Sequence, residues 1–197
     1  MKKATFIQRL CAYLLDAIIV LLISSIVSVG FSNKKVETLQ EDLEETIEQY
    51  VEGKISMEEY TNTTNDITYE IQKSSITVSI ATLIISIGYY IVFQFLNKGR
   101  TIGKKIMKLK IVNQEEKEPS LLQIIIRTII TNEILSNLII ITTILLLSKK
   151  VYTDIYYIIV SITYIFIIIS ALMILYRNDK LGLHDMISKT KVMKEGK

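Results

Sequence analysis

The sequence predicts an all-α integral membrane protein: a four-helix bundle crossing a bilayer, an extracytoplasmic helical hairpin between helices 1 and 2, and a small cytoplasmic cap. Three observations carry this expectation. Half of the 197 residues are hydrophobic, and they lie in long blocks rather than interleaved with polar residues. Four of those blocks reach the roughly 20 apolar residues needed to cross about 30 Å of hydrocarbon. Lysine and arginine gather in alternate connections, as an alternating topology requires.

The first block covers residues 6–31. It follows Lys2 and Lys3, but Asp16 lies inside it and no small-x-small cleavage site follows. The reading is therefore a retained helix, not a signal peptide. Residues 33–74 are polar and acidic. Val36, Leu39, Leu43, Ile47, Tyr50 and Val51 recur at helical steps. Gly53 breaks that pattern, and Ser56 with Glu59 has the spacing of a capping box. Two amphipathic helices outside the bilayer are expected, their apolar stripe resting on the membrane or on a partner; a solvated acidic spacer is the alternative.

The second span is placed at 75–96, followed by a basic loop over 97–120. The third is placed at 121–147 as one helix, although it contains Arg127, Asn132 and Glu133. A short turn over 148–154 leads to the fourth span, 155–176. Without the third crossing, the basic tail would end on the wrong side. The N-terminal stretch, the 97–120 loop and the tail after Tyr176 together carry sixteen Lys and Arg, against six in the 33–74 segment and the 148–154 turn. Both termini are thus expected in the cytoplasm, with the protein in the cell membrane and the insert outside.

The single Cys11 excludes an internal disulfide and a cysteine-based metal site. Seven Gly and one Pro argue against a Gly-rich phosphate loop. No HExxH, CxxC, Walker or GxSxG pattern occurs. No enzyme activity, cofactor or metal is expected. His184 beside Asp185 reads as a turn or the start of an interfacial helix.

Three stretches resemble a known family. Arg9-Leu-Cys-Ala-Tyr-Leu-Leu-Asp16 resembles the R-x6-D signature of the RDD family, which is named for one Arg and two Asp residues. Gly99-Arg-Thr-Ile-Gly-Lys104, continuing to Val112, looks like its G-x-T-x-G-K loop. Leu183-His-Asp185 is similar to its L-H-D motif, and Arg127 matches an Arg that opens the family's third helix. The motifs occur in the family's order and leave aside mainly the 33–74 insert, which is longer than in a minimal member. The resemblance implies a membrane protein often suspected of transport, with no agreed general activity.

Charged residues inside spans are expensive, at about 2.5–3.5 kcal/mol near the helix centre, so each needs a partner, water or a function. Arg9 and Asp16 share a helix face but lie about 10 Å apart along the axis, too far to pair. Depth instead predicts an Asp16–Arg127 pair, leaving Asp185 to meet Arg9. Glu133, about 13 residues into the third helix, is expected near the midplane. Either it is a neutral, packed Glu, or with Asp16 it forms an ion or proton site.

Arg100, Lys104, Lys105, Lys108 and Lys110 are expected at the membrane surface, drawn to anionic lipid head groups by about 1 kcal/mol per charge. The patch is short and lacks interleaved aromatics, which argues against nucleic acid. Residues 109–112 and 190–193 are β-compatible and suited to a two-stranded ribbon. The expected function is transport of a cation or small solute, in a homo-oligomer or with a membrane protein partner, because four helices enclose little space. The alternative is a scaffold or accessory subunit that binds a partner through the insert.

Overall fold

A computed structural model describes residues 2–31 and 33–196. Helix α1 spans Phe6–Val29 and starts at a capping box between Thr5 and Gln8. Helices α2 (Lys34–Val51) and α3 (Met57–Ser74) form the hairpin of the insert. The Ser56 side chain accepts from the Glu59 N–H to start α3, and Gly53 takes φ +72 in the turn. The hairpin is docked rather than a free spacer. Tyr69 packs edge-on against Tyr152, and Lys149 pairs with Asp66 at 2.5 Å.

Helix α4 runs over Ile76–Leu96 and contains a π-helical segment, Gly88–Phe93. Consecutive residues Tyr89 and Tyr90 are both buried there. A short helix α5 (Ile102–Ile106) and strand β2 (Leu109–Asn113) follow.

The third apolar block is not one helix. It consists of α6 (Leu121–Thr131) and α7 (Ile134–Leu146), bent by 66°. The break falls on Asn132 and Glu133, and Glu133 sits in the left-handed region at φ +55. The fourth block is longer than expected. Helix α8 covers Lys149–Tyr176 and starts directly after Ser148, so most of the anticipated turn forms its first turns. Among the described residues, three helices are long and apolar enough to span a membrane, or four when the bent pair counts as one span.

The chain is mostly helical, and its cap carries one strand more than the expected two-stranded ribbon. Strand β1 (Lys2–Lys3) and strand β3 (Thr190–Lys194) join β2 in a three-stranded antiparallel sheet ordered β1-β3-β2. The register pairs Ile111 with Val192. Ala4, Ala12, Leu109, Ile111 and Val192 form a core under the sheet, which anchors both ends of the chain to the base of α1. Short helix α9 (Leu183–Ile187) leads into β3.

Candidate functional site

Two carboxylates are buried where the cap meets the spans. Asp16 lies on α1, 1% exposed, and Asp185 on α9, 0% exposed. They are held by different groups.

Asp16 closes the 99–104 turn onto α1. It accepts from the Tyr89 hydroxyl at 2.6 Å, the Gly103 N–H at 2.7 Å and the Thr101 hydroxyl. The Lys104 ammonium stands 3.9 Å away and donates to Gln94 at 3.0 Å. The motif letters of this turn each have a physical cause. Gly99 adopts φ +82, and a Cβ there would come within 2.5 Å of the Ile111 carbonyl. Thr101 caps α5 and donates to Asp16. A Cβ on Gly103 would collide with the Ala12 carbonyl and lie 2.8 Å from Asp16 Oδ1. Only the bare backbone lets α5 approach close enough for its N–H to reach the carboxylate.

Asp185 closes the tail onto the bundle. Its Oδ2 accepts from Arg9 at 2.6 Å and from the Gly182 N–H at 2.9 Å; its Oδ1 accepts from Arg127. Arg9 also donates to the Lys180 carbonyl at 2.8 Å, and Arg127 to the Thr190 hydroxyl at 2.9 Å. Burial alone would raise the Asp185 carboxyl, but the Arg127 and Arg9 guanidinium groups hold it well below the usual carboxylate range. Burial, reinforced by Arg127, pushes His184 down to about 3. Its neutral ring meets the Ser170 hydroxyl at 2.6 Å.

The Arg9–Asp185 contact is thus present, whereas the expected Asp16–Arg127 pair is not formed. Equal depth was a poor guide, because the 99–104 turn folds up to occupy Asp16 and leaves Arg127 to the tail. The basic loop is also divided. Lys105 and Lys108 are exposed, but Arg100 pairs with Glu195. Lys104, with 18% of its side chain exposed, faces inward, and burial lowers its ammonium to about 8. Lys110 is half-buried on β2. Tyr89, Gln94 and Thr190 complete the cluster and carry no motif signal in the sequence. Thr101 is a letter of the G-x-T-x-G-K loop, whereas Tyr89 lies in the π-helical segment.

Glu133 joins neither carboxylate and makes no ion pair among the described residues. It lines a cavity of about 200 Å³ with Gln72, Ser136, Asn137, Thr163 and Tyr164. Across the break, Asn132 lines a second cavity of about 270 Å³, whose polar end holds Arg9, Asp16, Lys104 and Arg127. The bend therefore separates a cavity on the hairpin side from one on the sheet side.

Among the described residues, no group of three or more metal-ligating side chains is present. Comparison with curated proteins and with solved structures gives no match. The family model described as the RDD family matches residues 3–189, a range that contains both carboxylates, both arginines and the 99–104 turn. The chain belongs to the RDD family.

Proposed function

We propose that this membrane protein moves a small cation or a proton past the break in its third span, with Glu133 as the group that takes up the ion. The observation carrying this reading is a carboxylate without an ion pair, at a helix break between two cavities. Apart from Glu133 its own cavity is lined by uncharged residues, six polar ones with Ile140 and Val160, so a cation entering it meets one negative charge and oxygen ligands. Broken helices that present backbone and side-chain oxygens at a midspan site are a recurring way to bind transported ions. By the lysine and arginine distribution the sheet side is cytoplasmic and the insert is outside, in the cell membrane.

The test is flux of Na⁺, K⁺ and protons in proteoliposomes of the purified chain. Ion-dependent flux that Glu133→Gln abolishes, with thermal unfolding unchanged, supports the reading. Flux retained by that variant, or none from well-folded protein, counts against it.

A second reading, an accessory subunit that binds another protein through the insert, is favoured by the hairpin's outer end. Val51 and Met57 are 78% and 62% exposed there, on a segment with eleven acidic and four basic residues. Val51→Ser with Met57→Ser separates the two readings. The pair spares flux in a transporter and abolishes partner recovery in an accessory subunit.

A further inference from the structure

The sheet-side cavity differs from its neighbour in charge and in walls. Its sides are apolar: Leu10 and Tyr13 from α1 face Phe166, Ile167 and Ala171 from α8. Both helices are candidate spans, so the gap between them opens toward lipid rather than toward bulk water. Leu10 and Tyr13 at its edge are 41% and 45% exposed.

The polar end is cationic. Arg9, Lys104 and Arg127 stand against Asp16 and Asp185, and the His184 ring is neutral. Three positive groups facing two negative ones leave one positive charge uncompensated in a water-poor site, an expensive arrangement unless an anion completes it. Two donors in the cluster, Arg9 Nε and Gln94 Nε2, are buried with no hydrogen-bond partner among the described residues. Of the two side chains, Arg9 is nine-tenths buried and lines the cavity. Lys104 Nζ uses two donors, to Gln94 and Thr101, and lies beyond hydrogen-bond distance of Asp16.

From this combination we infer that the cavity between α1 and α8 is a binding site for the anionic head group of a membrane phospholipid. The phosphate sits against Arg9 and Lys104, and the acyl chains pass out between Leu10 and Tyr13 on one side and Phe166 and Ile167 on the other. A volume of about 270 Å³ takes a head group but not the chains, which stay in the bilayer. One negative charge neutralises the cluster, and basic pockets between membrane helices are suited to such head groups. The site concerns binding alone and stands whether or not Glu133 carries an ion.

The experiment is native mass spectrometry of the full chain in detergent with equimolar phosphatidylglycerol and phosphatidylcholine, paired with thermal unfolding. One retained phosphatidylglycerol per chain is expected, preferred by about fivefold, as one added charge contact implies. Ala171→Phe, which fills the cavity and leaves every charge in place, should abolish retention without lowering the unfolding temperature in phosphatidylcholine. Lys104→Gln should reduce the preference about fivefold. The exposed pair Lys105→Gln with Lys108→Gln should leave the retained lipid in place, which separates the cavity from surface attraction. Equal retention of both lipids would overturn the inference, as would phosphatidylglycerol binding that survives Ala171→Phe. Stabilisation by inorganic phosphate alone, equal to that by phosphatidylglycerol, would also overturn it by showing a free-anion site.

Discussion

Asp16 and Asp185 are equally deep in the protein, yet one is held mainly by neutral donors and the other by two guanidinium groups. Asp16 receives a phenol, a hydroxyl and a peptide N–H, with its cation at arm's length. Asp185 takes a direct ion pair from each of two helices. The difference assigns them different work. Asp16 shapes a turn, since its partners lie on α4 and in the 99–104 segment. Asp185 joins distant parts of the chain, since its partners come from the first and third apolar blocks. A buried charge whose partner is removed leaves that partner stranded, so loss of Asp185 strands two cations and loss of Asp16 at most one.

The largest effect should come from Asp185→Asn. Two buried guanidinium groups then lack a counter-charge, and a destabilisation of about 3–5 kcal/mol is expected in denaturant unfolding of the detergent-solubilised protein. Gly103→Ala should follow, at about 1–3 kcal/mol, because the new methyl pushes α5 off the Ala12 carbonyl. Asp16→Asn should cost about 1–3 kcal/mol, since an amide keeps one acceptor but faces three donors built for a carboxylate. Asp16→Asn costing more than Asp185→Asn would reverse the assignment of roles.

The smallest effect is a pH slope. His184 is held down to about 3 in the folded chain, against about 6.5 when unfolded. As pH falls below about 6.5 the unfolded state takes up a proton that the native state refuses. Stability is therefore full above that pH and declines below it, by up to about 1.4 kcal/mol per unit. Between pH 7 and 5.5 the wild type should lose stability while His184→Asn stays flat. Equal slopes would show that the imidazole is not buried as a neutral group.

The same contrast explains how much could be read from the sequence. Long apolar blocks reveal α1, α4 and α8, because hydropathy over 20 residues depends little on tertiary detail. The helical period of Val36 to Val51 revealed α2, and the β-compatible stretches at 109–112 and 190–193 indeed pair. The two-residue strand Lys2–Lys3 is too short to leave a periodic signal. The break at Glu133 was hidden because it uses neither Gly nor Pro; adjacent Asn132 and Glu133 were its only trace. The partner of Arg127 was missed for a geometric reason. Residue depth fixes a Cα level, but the folded-back 99–104 turn supplies Asp16 with closer donors from another segment. Lys104 looked like one more surface lysine until Gly103 brought its turn against α1.

The most direct test is a double-mutant cycle on Arg127 in denaturant unfolding, once with Asp185 and once with Asp16. Arg127→Gln and Asp185→Asn should couple by about 0.5–3 kcal/mol. Arg127→Gln and Asp16→Asn should add to within about 0.5 kcal/mol. Strong coupling of Arg127 to Asp16, with none to Asp185, would overturn the assignment of Arg127 to the tail.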